Sequence, residues 1–291
     1  MSHKPIVAGI GELLWDVLPT GKQVGGAPTN FAFHAMQAGC ESILISAVGK
    51  DNLGEELLST LETLNINCDF VQRNNFPTGT VTVTLSENGQ PQYIIHENVA
   101  WDNTVFNTKI EGKLKELDAV CFGTLGQRKP VSAVAIQQLL TAVNPGCLKV
   151  FDINLRQHFF SFEVIAKSLE FADVLKLNDE ELPVLSDFFG VTGELKNQLN
   201  HILNQFNLKY VVYTMGEKGS LILSNKEYSF LKSPKVDVTD TVGAGDSFTA
   251  VLISGLLKGL PLTKVHESAS QAAALVCTQK GACPVIPFQI F

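Results

Sequence analysis

The sequence contains little arginine and no paired cysteine motif, and each absence excludes a class of function. Arginine occurs three times, as Arg73, Arg128 and Arg156, in a chain whose net charge is −7. Nucleic acids and anionic membranes require a basic face on the protein that binds them, so both partners are disfavoured. The six cysteines form no C-x-x-C pair and show no zinc-ligand spacing. We therefore expect reduced, mostly buried thiols in a cytoplasmic protein.

Long apolar segments are also missing. No stretch approaches the ~20 apolar residues that cross a membrane. Residues 1–10 carry too short an apolar run for a signal peptide. A length of 291 residues with 45% hydrophobic and 18% charged residues instead fits a globular protein with a large core.

Three common nucleotide-binding and kinase motifs are incomplete. The G-x-G after the first apolar run lacks the third glycine of a dinucleotide-binding loop, because Leu14 stands in its place. The pair Gly21-Lys22 is followed by Gln23 and has no glycine at position 16, unlike a Walker A loop. Residues 187–190, DFFG, contain one residue too many for the D-F-G of protein kinases. These departures argue against a dehydrogenase, a P-loop enzyme and a protein kinase.

Apolar runs of strand length alternate with helical patterns along most of the chain. Strands are predicted at 5–10, 42–49, 118–123, 148–154, 173–178 and 209–214, and helices at 27–39, 51–65, 131–143 and 161–171. Strands rich in Val, Ile and Leu that are separated by helices predict an α/β fold with a mostly parallel sheet covered on both faces. We expect residues 1–291 to form one domain.

Two segments break this alternation. Residues 13–26 predict a strand and a turn, and residues 78–97 alternate with period two around Asn88-Gly89, a strong hairpin signal. We predict that segments near 12–26 and 75–102 form a small antiparallel β-sheet that serves as a lid. An ordinary edge hairpin is the alternative that the pattern leaves open.

The stretch DTVGAGDSFTA, residues 240–250, places two glycines and a carboxylate where a helix begins. Glycines at 243 and 245 allow helix-start N–H groups to approach a phosphate closely. The amides of Gly243, Ala244 and Gly245 can stabilise charge on a transferred phosphoryl group. Asp246 can accept the proton of an attacking hydroxyl. The alternative is that Asp246 simply caps the helix.

This stretch closely resembles the C-terminal signature of the ribokinase-like (PfkB) carbohydrate kinases. Four further motifs of that family follow in the same order: GGAPTN at 25–30, DINLR at 152–156, NDEE at 178–181 and TMG at 214–216. The resemblance implies a three-layer α/β/α ribokinase-like fold with a β-sheet lid, ATP as phosphoryl donor and Mg²⁺ as cofactor. It also implies that Asp246 is the catalytic base and that the 243–245 amides form an anion hole.

The resemblance assigns the sugar site to the early part of the chain. It places Asp16, Gly25, Gly26 and Asn30 against the sugar, whose hydroxyls suit carboxylate and amide partners. Two residues elsewhere are added to this site. Arg156 follows a strand end, where ligands bind in open α/β sheets, although a surface ion pair is its alternative. His96 is expected as a lid contact.

The nucleotide and metal residues are assigned in the same way. The resemblance places ATP against Asn178, Thr214 and Gly216, together with Gly243 and Gly245. It assigns Glu181 to Mg²⁺, in the family often through water, although Asn178 and Glu181 also have the spacing of a capping box. Asp237 and Thr239 match the region where family members often bind K⁺.

The acceptor is predicted from the stretches GELLWD, GGAPTNFA and GTLGQR, which look most like fructokinases of the family. Residues 93–102 contain no arginine, whereas relatives acting on keto-acid sugars tend to carry one in the lid. We therefore expect a neutral sugar, first of all fructose. Kinases for ketodeoxygluconate, ribose or nucleosides are alternatives, as is a non-catalytic sugar or nucleoside sensor on the same scaffold. A homodimer through the lid, common among relatives, is also expected.

Overall fold

In the computed structural model, which describes residues 4–85, 91–287 and 290, the chain forms two β-sheets and flanking α-helices. The strands are β1 (Ile6–Ile10), β2 (Leu14–Leu18), β3 (Gly21–Gly25), β4 (Glu41–Gly49), β5 (Val71–Asn74), β6 (Gly79–Leu85), β7 (Pro91–Ile95), β8 (Ala119–Phe122), β9 (Leu148–Asp152), β10 (Val174–Asn178), β11 (Tyr210–Thr214), β12 (Ser220–Leu223) and β13 (Tyr228–Leu231). The helices are α1 (Ala27–Gln37), α2 (Asn52–Thr63), α3 (Thr108–Leu114), α4 (Pro130–Ala142), α5 (Phe162–Phe171), α6 (Glu181–Phe189), α7 (Leu195–Gln205), α8 (Ala244–Leu257) and α9 (Leu262–Cys277). The predicted turn at Asn88-Gly89 lies outside the described residues.

The large sheet has nine strands in the order β13-β12-β11-β10-β9-β8-β1-β4-β5. Pairing is parallel from β11 to β5, and β12 and β13 add an antiparallel edge. The predicted mostly parallel sheet is confirmed. From β1 the chain passes first to β4 on one side, and later to β8 on the other. The strand order therefore reverses between β1 and β8, which is where open α/β sheets bind ligands.

Helices cover both faces of this sheet. On one face, Leu139 of α4, Leu169 of α5 and Leu203 of α7 pack against the strands, and on the other face Phe31 of α1, Val251 of α8 and Ala269 of α9 do so. All six side chains are nearly inaccessible to solvent. The three-layer α/β/α architecture implied by the sequence is confirmed. In the described part of the chain, no helix combines the length and the apolar character that crossing a membrane requires.

The small sheet has the order β3-β2-β6-β7 and falls within the two segments predicted for it. The hairpins β2–β3 and β6–β7 are antiparallel, as expected. They are joined by a parallel pairing of β2 with β6, which the sequence pattern did not indicate. One face of this sheet, carrying Leu14, Val81 and Ile95, packs with Leu125 and Phe159 of the main body.

A buried ion pair ties the end of the small sheet to the main body. Arg128 donates two hydrogen bonds to Asp102, from Nε at 2.7 Å and from a terminal nitrogen at 2.9 Å, and a further one to the carbonyl oxygen of His96 at 2.6 Å. Its guanidinium carbon lies 4.0 Å from the ring centroid of Trp101, which is buried in the same cluster. Arg128 therefore has a structural role at the junction between the two sheets.

Candidate active site

A cavity lies at the reversal point of the large sheet, at the carboxyl ends of its strands. Loops after three strands line it, through Glu12 after β1, Gly123 after β8 and Asn154 after β9. The starts of two helices complete the lining, with Ala27 from α1 and Asp246 from α8. The topology thus places the glycine-rich helix start of α8 at the position that parallel sheets use for ligands.

Asp246 stands in the first turn of α8 and faces this cavity. Its Oδ2 accepts a hydrogen bond from Nδ2 of Asn30 at 2.8 Å. Burial, with the negative charge of Asp152 nearby, raises the pKa of Asp246 to about 6. A carboxyl group with this pKa is ionised near neutral pH and is a stronger base than an exposed aspartate.

The turn before α8 is held from two directions. Gly243, the residue that precedes the helix, has a φ of 80°, a conformation that strongly favours glycine. Asp240 accepts hydrogen bonds from the backbone N–H of Val242 at 3.0 Å and from that of Gly281 at 3.1 Å. These bonds hold the helix start of α8 in place, and within the turn the N–H of Ala244 donates to the carbonyl oxygen of Thr241 at 3.3 Å.

Beneath this turn lies a buried polar network that the sequence reasoning missed. Asp152 accepts a hydrogen bond from Nζ of Lys176 at 3.0 Å through one oxygen, and its other oxygen lies 3.1 Å from the Thr249 hydroxyl. Both charged side chains are less than one tenth exposed. A lysine between two leucines in the strand VLKLN was the signal that could have identified this network.

Glu12 is a second missed residue. It lies directly after the loop glycine that follows β1, is 3% exposed, and lines the cavity with Asp246. Its Oε1 accepts a hydrogen bond from the N–H of Ala27 at 3.2 Å, at the start of α1. Burial raises the pKa of Glu12 to about 7. A charged side chain beside the G-x-G run could have suggested a role at this strand end.

The raised pKa of Glu12 predicts a pH-dependent gain in stability for Glu12→Gln. Since the folded state holds this proton more tightly than the unfolded chain, stability falls as pH rises from about 4.5 to about 7. Glutamine retains the acceptor for Ala27 and removes the buried charge. We expect the variant to be about 3 kcal/mol more stable than wild type at pH 8, and equally stable near pH 4.

Thermal unfolding of both proteins between pH 4 and pH 8 measures this difference. Glu267→Gln, at an exposed position of α9, is the matched control and should follow the wild-type curve. A constant offset between Glu12→Gln and wild type at all pH values would contradict the argument.

The predicted sugar residues lie on the side of the small sheet. Asp16 is in β2, Gly25 ends β3, and Gly26 directly precedes α1, which carries Asn30. Burial raises the pKa of Asp16 to about 6, and the positive charge of Arg156 opposes this rise. The charges of Asp16 and Arg156 are therefore close enough to interact.

Among the three arginines, Arg156 is the one that forms no ion pair with a carboxylate of the described residues. Arg73 forms an ion pair with Glu55 on the surface, and Arg128 is held by Asp102. Arg156 is exposed, forms no ion pair with a described carboxylate, and its charge lowers the pKa of Glu12, Asp16 and Asp246.

On the expected nucleotide side, Asn178 and Glu181 form the capping arrangement that their spacing allows. The side chain of Asn178 accepts from the N–H groups of Glu180 and Glu181, each at 2.9 Å. The Glu181 carboxylate accepts from the N–H of Asn178 at 2.8 Å and of Leu155 at 3.0 Å. Since both Glu181 oxygens already accept main-chain bonds, this geometry suits a metal contact through water better than a direct one.

The remaining predicted residues lie further out. Thr214 ends β11, and the carbonyl oxygen of Gly216 accepts a bond from Ser233 at 2.6 Å. His96 is exposed and lies 2.8 Å from the Thr82 hydroxyl within the small sheet. Asp237 and Thr239 lie on an exposed loop before the glycine turn. Among the described residues, no group of three or more His, Cys, Asp and Glu side chains could hold a metal ion.

Comparison with known families agrees with this geometry. Residues 11–289 match the pfkB family carbohydrate kinase domain, a span that includes all the residues lining the cavity. The chain belongs to the pfkB family of carbohydrate kinases. The family assigned from five ordered motifs is therefore confirmed.

Other pfkB kinases are similar to this one over nearly their whole length. A sugar kinase of Pyrococcus horikoshii, described as uncharacterized, is 31% identical over 297 residues, covering 95% of this chain and 91% of the relative. Its crystal structure aligns with a TM-score of 0.80 over 96% of this chain and 93% of that one. Fructokinase-2 of Solanum habrochaites is 27% identical, covering 98% and 94% of the two chains. Fructokinase of Xylella fastidiosa with bound ATP shares the fold, with a TM-score of 0.87 at 19% identity, covering 98% and 96%.

Proposed function

We propose that this pfkB kinase transfers the γ-phosphoryl group of ATP to a primary hydroxyl of a neutral sugar, with fructose at O6 or O1 as the first candidate. The observation that carries this proposal is the position of Asp246. Its carboxylate is held by Asn30, faces the cavity, and stands in the first turn of a helix whose N–H groups are presented by a glycine turn.

That arrangement divides the chemistry between two parts of one helix start. Asp246 orients the acceptor hydroxyl and removes its proton as the oxygen attacks phosphorus. The amides of Gly243, Ala244 and Gly245 stabilise the charge on the phosphoryl oxygens. Both groups belong to one helix start, so little reorganisation between them would be needed when the reaction occurs.

The charges around the cavity favour a neutral acceptor. Glu12, Asp152 and Asp246 line it. Asp16 interacts with the same arginine, Arg156, as Glu12 and Asp246 do. Carboxylates accept hydrogen bonds from sugar hydroxyls but repel an acidic sugar. Arg156 is the single arginine near the site, and it is available for a phosphate or for the substrate. The similarity to Fructokinase-2 of Solanum habrochaites supports a hexose of this kind.

The donor would lie across the carboxyl ends of β10 and β11, near Asn178, Thr214 and Gly216. The sugar kinase of Pyrococcus horikoshii has been crystallised in complex with ATP, with 29% identity and a TM-score of 0.82 to this chain. Glu181 and the donor phosphates would hold Mg²⁺, with Glu181 acting through water. When bound, Mg²⁺ neutralises charge on the donor phosphates.

The small sheet would close over the sugar as a lid and exclude water that competes as an acceptor. Asp16, Gly25 and Gly26 would then contact the sugar from above, with His96 nearer the rim. The homodimer through this lid and the K⁺ contact of Asp237 and Thr239 stay predictions from the family resemblance.

A coupled ATPase assay with fructose, ribose, tagatose, ketodeoxygluconate and nucleosides tests the acceptor. We expect the highest kcat/KM with fructose, and turnover of a neutral sugar should exceed that of ketodeoxygluconate. A preference for ketodeoxygluconate or a nucleoside would contradict the neutral-sugar assignment. Binding of a sugar or nucleoside without any ATP turnover would favour the non-catalytic sensor instead.

A further inference from the structure

The network beneath the glycine turn contains a buried cation, the ammonium group of Lys176. Lys176 lies in the middle of β10, between Leu175 and Leu177. Its side chain is 9% exposed and its ammonium is 3.0 Å from Asp152. A lysine is expensive to bury, so a burial of this kind requires partners of opposite charge.

The geometry links this lysine directly to the helix start of α8. A Cβ atom built on Gly245 would lie 3.0 Å from Nζ of Lys176, so the ammonium packs against the backbone of the anion-binding turn. Thr249, one helical turn later, lies 3.0 Å from the Gly245 carbonyl oxygen and 3.1 Å from Asp152. Lys176 thus supports the turn directly, and Asp152, which also lines the cavity, holds the lysine in place.

The charges around Lys176 also link it to the helix start of α8. Burial alone would lower the pKa of Lys176, but Asp152, Glu181 and Asp246 together raise it, so the lysine is cationic at neutral pH. In return its charge lowers the pKa of Asp246. The titratable or charged groups facing Asp246 are Glu12, Cys121, Asp152, Arg156, Lys176 and Cys283. Of these, Arg156 and Lys176 are cationic, and Lys176 is the buried one.

We propose that Lys176 is a positioning residue for phosphoryl transfer: its ammonium fixes a positive charge under the Gly243–Gly245 turn and acts on the Asp246 carboxylate through that charge. It acts through the helix start and through Asp246, without contacting the transferred group. This inference rests on the proposed function, and it assigns to the lysine more than neutralisation of Asp152.

The test must separate these two roles. Lys176→Met alone would leave Asp152 buried without its partner and could unfold the protein. We therefore compare Asp152→Asn with the double variant Asp152→Asn, Lys176→Met, in which no carboxylate needs the lysine as a counter-ion. Lys149→Met on the neighbouring strand β9 is the control, because Lys149 is more exposed and pairs with Asp173.

In the Asp152→Asn background, loss of the lysine should lower kcat, measured with both ATP and sugar saturating, about tenfold or more. The titration midpoint of the Asp246 carboxyl, followed by ¹³C NMR, should rise by about one unit. Asp152→Asn, Lys176→Arg should keep the midpoint of Asp152→Asn, since the charge is retained. Asp152→Asn, Lys176→Gln is a second neutral variant, judged by the same two measurements if the methionine variant does not fold.

An unchanged midpoint on removal of the charge would overturn the proposal, whatever happens to the rate. Equal kcat for Asp152→Asn and the double variant would also overturn it. The NMR titration needs no turnover. If the wild-type protein showed no kinase activity with any acceptor, the proposed function would fail, while the effect of Lys176 on Asp246 would still be decided.

Discussion

Replacing Asp246 with asparagine should lower kcat by about 10²–10⁴ while leaving the fold intact. Asparagine has almost the same shape as aspartate, so the contact with Asn30 can be kept after an amide flip. It cannot accept the proton of the acceptor hydroxyl. The expected loss therefore falls on kcat, with little change in the KM values for ATP and sugar.

The pH dependence of the rate is a second test of Asp246 as the base. The wild-type rate should fall as pH decreases through about 6, because the base becomes protonated there. The residual rate of Asp246→Asn should lack this step. Asp187→Asn, at an exposed position of α6, is the matched control and should retain wild-type kinetics. Near wild-type turnover by Asp246→Asn would refute its assignment as the base.

Gly243→Ala should lower kcat by about 10²–10³, the usual effect of displacing an oxyanion-hole donor. Gly243 has a φ of 80°, and a Cβ there would lie 2.6–2.7 Å from backbone atoms of Ala282. Backbone cannot yield as a flexible side chain does, so either the turn or the 281–283 segment must move. The N–H groups proposed to bind the phosphoryl oxygens would move with it.

Gly259→Ala separates this displacement from backbone strain alone. Gly259 follows α8 with a φ of 68°, and a Cβ there would meet no heavy atom within 4 Å. Both substitutions carry the strain of a positive φ, roughly 1 kcal/mol, but only Gly243→Ala adds a clash at the site. Equal kcat values for the two variants, with melting temperatures lowered alike, would show that the turn geometry does not govern transfer.

Much of this protein can be predicted from local sequence patterns. Runs rich in Val and Leu, such as VLKLN and YVVYT, indicated buried parallel strands, because both faces of such a strand are covered by helices. The glycine pair before an apolar helical period located the start of α8. These features depend on neighbours within a few residues, which is why the sequence alone indicates them.

The arrangement of the site depends on contacts that no local pattern specifies. Asn30 and Asp246 are 216 positions apart in the chain and meet because the sheet reverses its strand order between β1 and β8. Lys176 could be recognised as unusual in an apolar strand, but its partner Asp152 lies on the adjacent strand.

The parallel pairing of β2 with β6, which joins the two hairpins of the small sheet, is another contact that no local sequence pattern specifies. Sequence determined which elements form and where the helix-start amides lie. Strand order and long-range packing determined which charges surround them, because electrostatic partners are chosen by distance in space rather than by separation along the chain.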